Sequence, residues 1–283
     1  MLSIELDIYS GRPNPEWKLT PKEEQDLVDR ILANPSLMRP IDADTGGLGY
    51  RGYIVRALSE DENAWSRSKL PSQFRIGGRN DDPEAAALWL LDSSEKPDSE
   101  VDDYLREYLH GSVHKSNPTA LIEEEPSDTL AATVGCNRLL TSDREFSFWN
   151  APAVITRNNA YNFAANNRTG TLAQPGRRSG RIYPGLLHWE ISAAAVRDGF
   201  GNGCFIIGPN LMTALFIAPG PGFLDFHWYR LCLNNHWCHK PGVAPARNTD
   251  NSGAWITDPR RANRGPYSVF AGFWYGRNPV NVR

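Results

Sequence analysis

The stretch from Thr156 to Gly180, TRNNAYNFAANNRTGTLAQPGRRSG, limits the possible folds more than any other part of the chain. Asn158 and Asn159 are both good helix N-caps, because a short side-chain oxygen accepts a backbone N–H that the first turn leaves unpaired. Ala160 then falls in the first helical turn, and Tyr161, Ala164 and Ala165 share a face that can be buried. Gln174-Pro175-Gly176 closes the segment with turn residues.

The sequence downstream supplies what such a helix can pack against. Leu187 to Arg197 reads as a second helix with Ile191, Ala194 and Ala195 on one face, ended by Asp198-Gly199. Met212 to Ala218 is a near-continuous apolar run, the pattern of a strand buried on both faces. Pro219-Gly220-Pro221-Gly222 turns the chain into a strand over Asp225–Cys232. Asn234-Asn235 suits a hairpin turn because Asn tolerates positive φ, and His236–His239 returns as the partner strand. Tyr267–Tyr275, with Phe270, Phe273 and Trp274, closes the set. The expected fold is α+β, a helix packed on a small antiparallel sheet.

The first half reads differently. Leu2, Ile4, Leu6 and Ile8 alternate with polar residues as in a half-buried strand. Ser10-Gly11-Arg12-Pro13-Asn14-Pro15 is a proline-stiffened turn, and Thr20, Pro21 and Glu23 form a capping box ahead of a helix whose apolar stripe is Leu27, Val28, Ile31 and Leu32. Gly46-Gly47-Leu48-Gly49 lacks the Gly-Lys-Ser/Thr of a phosphate loop and leads into a strand over Tyr50–Leu58. Gln73–Ile76 is a further strand, Asp82-Pro83 opens a helix through Leu91, and Ser99 caps another through Leu109. Residues 1–112 thus read as a small α/β domain, 113–130 as a linker or covering loop, and 131–283 as the α+β domain.

Several words of the second half occur together in a known family. It carries Asn-Asn-Cys-Tyr-Asn-Tyr-Ala and Phe-Ala-Gln-Pro-Gly-Arg where this chain has Asn158–Ala164 and the Ala173–Arg177 region. The match continues through Ala214–Ile217, Asp225–Arg230, His239–Gly242, Asn251–Gly253, Ile256–Pro259 and Arg264–Tyr267. The chain resembles this family over roughly residues 145–275, and the family is similar to papain-like amidases of the NlpC and CHAP types. The resemblance implies a papain-like fold, with a nucleophilic Cys at the helix start, a His on a following strand and an orienting third residue. Here Ala160 stands where the family has Cys, Asn210 stands near where its His is expected, and His227 occupies the third place.

Composition removes several function classes. A net charge of −3 leaves no footprint for nucleic acid or an anionic membrane surface, and no apolar run approaches membrane-spanning length. The N-terminus lacks the basic region of a signal peptide. Four cysteines at irregular spacing suggest no disulfide framework, so the expectation is a reduced, cytoplasmic protein. Cys232, Cys238, His236 and His239 depart from the paired spacings of zinc sites, so neither metal nor cofactor is expected. Arg12, Arg51 and Arg56 could converge on an anion, or be solvated and locally paired. Arg177, Arg178 and Arg181 form a local basic cluster, and Asp250 and Asp258 fit turns as readily as chemistry.

Two function classes stay open from the sequence. One is a degenerate amidase that keeps its cleft to bind a peptide or small molecule, with Asn159, Trp228, Arg177 and Arg230 as contacts. The other is an enzyme repurposed for cyclisation, isomerisation or condensation, as in natural-product biosynthesis, with His227, Asp225, Tyr161 and Asn210 as acid–base or oxyanion groups. A cysteine hydrolase in which Ala160 has replaced the nucleophile is a further alternative. In the resemblance, the His227 ring should point at the start of the Asn158–Ala165 helix, with Asp225 on the same sheet face.

Overall fold

The computed structural model describes residues 1–43, 45–58, 68–78, 84–113, 136–141 and 146–283. Most of the expected linker, and the expected helix start at Asp82-Pro83, lie outside them. The chain divides into two compact units: residues 1–8, 14–46 and 50–117 form the first, and residues 9–13, 47–49 and 118–283 the second. Among the described residues, no helix is long and apolar enough to cross a membrane.

The first unit is built on strands β1 (Leu2–Leu6), β2 (Glu16–Lys18), β3 (Tyr53–Ala57) and β4 (Gln73–Ile76), in the order β2-β1-β3-β4. Every pairing is antiparallel, so this unit is also α+β and not the α/β arrangement that the alternation of elements suggested. Helix α1 (Pro21–Ala33) starts with the expected capping box between Thr20 and Glu23 and buries Leu27, Val28 and Ile31. Helices α2 (Glu84–Asp92) and α3 (Asp103–Val113) follow. The cap of α3 is Asp102, whose Oδ1 accepts the Leu105 N–H at 2.7 Å. Ser99 instead donates to the Ser94 carbonyl in the turn after α2.

The arginines do not converge on an anion site. The Asp7 carboxylate accepts from Arg51 at 2.6 Å and from Arg75 at 2.5 Å, all three being fully buried. Burial alone would push the Asp7 carboxyl up, but the two guanidiniums hold it below the ordinary carboxylate value. Arg56 pairs with Glu5 at 2.5 Å.

The second unit contains four short helices, α4 (Phe146–Asn150), α5 (Pro152–Ile155), α6 (Ala160–Ala164) and α7 (His188–Asp198), among its described residues. Its sheet comprises β5 (Phe200–Gly201), β6 (Asn210–Pro219), β7 (Leu224–Leu231), β8 (Trp237–His239) and β9 (Val269–Arg277). The order is β5-β9-β6-β7-β8, antiparallel throughout. All of β6 but Pro219 is buried, as its apolar run predicts. Between β7 and β8, Asn234 and Asn235 take φ of 58° and 56° in a tight 3-10 turn, the positive-φ role expected of them.

Strand alternation gives the sheet two different faces. Leu211, Leu215, Ile217, Phe226 and Trp228 pack with Ala160, Tyr161 and Ala164 of α6 and Ile191 and Ala195 of α7. The opposite face of β7 carries Asp225, His227 and Tyr229, and Phe216 of β6 meets Tyr229 there edge-on.

All four cysteines are paired, Cys136 with Cys204 and Cys232 with Cys238. The expectation of a reduced protein is therefore corrected. Cys232 and Cys238 flank the tight β7–β8 turn, and Cys136 reaches Cys204 because Asn137 and Leu139 bond to Asn210 beside it. Spacing along the chain cannot reveal the Cys136–Cys204 pairing, which closes a separation of 68 residues.

Candidate functional site

Helix α6 begins as the sequence suggests. The Asn159 Oδ1 accepts the N–H groups of Tyr161 and Asn162, both at 3.1 Å, and the Asn162 Oδ1 accepts the Asn159 N–H at 3.1 Å. Ala160 is fully buried in the first turn. The space at this helix start is filled by the protein's own residues Ser10–Arg12. Ala160 N–H donates to the Ser10 carbonyl at 3.2 Å. The side-chain amides of Asn159 and Gln174 both donate to the Gly11 carbonyl at 2.8 Å. Gly11 lies so close to β7 that a Cβ there would overlap the carbonyl and ring of Phe226, so only glycine fits.

Asp225 anchors the same segment from the sheet. Its carboxylate accepts the backbone N–H groups of Ser10 at 2.6 Å and Arg12 at 3.0 Å, a longer one from Gly11, and the Tyr267 hydroxyl at 2.5 Å. Burial pushes its carboxyl above the ordinary value, against the pull of those donors. With both oxygens engaged by these donors, the carboxylate fastens the Ser10–Arg12 segment to the sheet.

The structure disperses the other candidates. His227 stands on the sheet face away from α6, where its Nε2 lies 2.9 Å from Nδ1 of His239. His239 Nε2 lies 3.0 Å from the Thr249 carbonyl, which can only accept, so the network assigns His239 its Nε2 proton and His227 the donating Nε2. The expectation that the His227 ring points at the helix start is thus corrected: Phe226 and Trp228 occupy that face. Asp225 does share the His227 face, as period two requires. Asn210 is enclosed in its own turn, bonding Phe205 through both amide atoms and donating to the Asn137 and Gly208 carbonyls. Tyr161 donates to Asp198 at 2.8 Å, and burial first, then that carboxylate, pushes its phenol well up.

The expected ligand contacts also serve the fold. Asn159 is the cap described above. Trp228 packs on Tyr161 and Phe200 at 5.5 and 5.3 Å. Arg230 is buried under the end of α6, donating to the Phe163 carbonyl at 2.6 Å and to Asn166 at 2.8 Å with its guanidinium over the Phe163 ring. Arg177 is exposed and donates to the Leu172 carbonyl. The Cys232–Cys238 disulfide takes both thiols out of any metal site with His236 and His239.

Lys240 and Arg264, two of the buried cations that are not candidates in the sequence, are held by backbone carbonyls. Lys240 donates to the Ile155 and Gly242 carbonyls at 2.6 and 2.7 Å. Arg264 lies over the Phe216 ring and donates to the carbonyls of Pro259, Arg260, Ala262 and Tyr267. Nothing in an isolated Lys or Arg signals a cage of carbonyls, which only the folded loop assembles.

Against known proteins, a stretch of 132 residues is 48% identical to "Insoluble matrix shell protein 1" of Ruditapes philippinarum, covering 46% of this chain and 86% of that protein. The chain belongs to the insoluble matrix shell protein 1 family. No family model and no solved structure matches it. Membership in the insoluble matrix shell protein 1 family, together with two disulfides, overturns the expectation of a cytoplasmic protein, because such bonds persist in oxidising compartments. It likewise overturns the description as a papain-like pseudoenzyme or biosynthetic protein, since the relative is named for an insoluble shell matrix.

Proposed function

We propose that this protein is a structural component of an insoluble matrix outside the cell, a reading supported by a relative named for an insoluble shell matrix, and that its second unit is a scaffold with no catalytic role. The observation that carries this reading is the helix start sealed by Ser10–Arg12, with Asn159, Gln174 and Asp225 all engaged on that segment. A catalytic site must hold a nucleophile or acid–base pair where substrate can reach it. Here the methyl group of Ala160 is buried, His227 is on the other face, and Tyr161 and Asn210 are bound elsewhere. The two disulfides suit a protein that must persist outside the cell.

Tissue fractionation with an antibody to this chain tests the proposal. The protein should be retained in the extracellular residue that resists detergent extraction, and its thiols should react with an alkylating reagent only after reduction. Recovery in the soluble cytosolic fraction with freely alkylated cysteines would overturn it.

A further inference from the structure

The second unit also carries a cavity of about 560 Å³. Its lining is mostly hydrocarbon: Leu186, Leu187, Ile217, Leu224 and Val269 contribute, and none of the lining residues is acidic. Leu187, Leu224 and Val269 remain 57%, 44% and 39% exposed. Three large apolar side chains left in water around one concavity suggest an unfilled binding surface.

One guanidinium, that of Arg12, faces this apolar wall, and the His188 imidazole also lines it. Arg12 lines the cavity, and its guanidinium is held in place by a 3.1 Å bond from Nη1 to the Leu224 carbonyl and by stacking 4.4 Å from the Tyr9 ring centre. Among the described residues, no carboxylate side chain forms an ion pair with it. Asp225 accepts only its backbone N–H. A guanidinium has five N–H donors, so most of its fork is available. Arg177, whose charge is felt at Tyr183, is not among the residues that line the cavity.

We infer that this cavity binds a small amphipathic carboxylate, its hydrocarbon on Leu186, Leu187, Ile217, Leu224 and Val269 and its carboxylate on the fork of Arg12. The planar fork matches a carboxylate, and fixing it in advance removes part of the ordering cost of binding. One principal cation balances a monoanion. A dianion such as a phosphate monoester would bring a second charge against an apolar wall, which is unfavourable without a partner. A neutral chain of equal length would fill the wall and leave the arginine unanswered.

Isothermal titration of the full chain, disulfides intact, with decanoate, decanol and decyltrimethylammonium below their micelle concentrations tests the assignment. Decanoate should bind saturably at one site, decanol at least about tenfold more weakly, and the ammonium not measurably, since a charge-assisted bond carries roughly that much discrimination. Arg12→Gln should bring decanoate down to the affinity of decanol and leave decanol unchanged. Val269→Glu, at an exposed rim position, should abolish decanoate binding at an unchanged melting temperature, which probes the same cavity from its apolar side. No saturable decanoate binding by the parent protein would overturn the inference. So would decanol as tight as decanoate, or decanoate binding that both variants retain.

Discussion

Around β6 and β7 the two faces of the five-stranded sheet are both buried, but by different physics. Against α6 and α7 the sheet presents Leu211, Leu215, Phe226 and Trp228, a face held by apolar area and shape. On the other side Asp225, His227 and Tyr229 meet His239, Tyr267 and the Arg264 guanidinium over Phe216, a face held by directional bonds. An apolar face tolerates any filling of the right volume. A polar one must satisfy each donor and acceptor, because an orphaned buried group costs about 1–3 kcal/mol. The polar face looks like chemistry in the sequence and is joinery in the structure.

Truncation should separate the faces most sharply. Trp228→Ala removes the centre of the apolar face and should cost about 3–5 kcal/mol in a denaturant titration, as buried Trp truncations do. A loss under about 1 kcal/mol would mean that the helix face is not the main source of stability. On the polar face, Arg264→Met keeps much of the volume and loses the bonds to the four carbonyls. We expect a loss of about 2–3 kcal/mol in the same titration, the size of leaving buried acceptors unpaired. Gly11→Ala should cost about 1–3 kcal/mol through overlap with Phe226, with the change concentrated at Ser10–Arg12 in an amide-exchange map.

Acid should move two carboxylates of this unit in opposite directions. Burial leads in raising Asp225, so its ionised form costs stability. Its contribution is greatest below the ordinary value of 3.8 and is lost as pH rises through the higher folded value. Burial also opposes ionisation of Asp250, but the Ser252 hydroxyl and the N–H groups of Asn263, Ser252 and Ala254 outweigh it and hold its carboxyl down. Asp250 thus contributes above 3.8, and that contribution is lost as pH falls through its lower folded value. On acidification, the stability gap between parent and Asp225→Asn should widen, while the gap to Asp250→Asn should close. Urea midpoints of the three proteins across acidic pH check both signs.

The smallest effect should come from placing a thiol at the start of α6. Ala160→Cys places a thiol on the helix face, with His227 on the other side of the sheet. We expect no thiol-dependent hydrolysis of anilide substrates above the parent's background. Measurable turnover sensitive to alkylation would show that an imidazole reaches that position after all.

Local signals were legible in the sequence and pairings across the fold were not. The Asn159 cap, the buried run of β6 and the positive-φ asparagines between β7 and β8 each follow from residues within a few positions. Period two put Asp225 and His227 together, and Phe226 and Trp228 apart from them. Which of those faces meets the helix depends on tertiary packing, and it is the face of Phe226 and Trp228 rather than the expected face of His227. The Ser10-Gly11-Arg12 turn read as a local device, yet its donors end on Asp225, a partner 215 residues from Ser10. Cys136 and Cys204 hid for the same reason.

Amide hydrogen exchange at Ser10, Gly11, Arg12 and Ala160 tests the sealed helix start most directly. If this segment is a permanent part of the fold, its N–H groups should exchange as slowly as those in the centres of β6 and β7, through the same opening of the unit. Exchange orders of magnitude faster than those strands would show a segment that lifts to admit a ligand, and would contradict a scaffold role for the second unit.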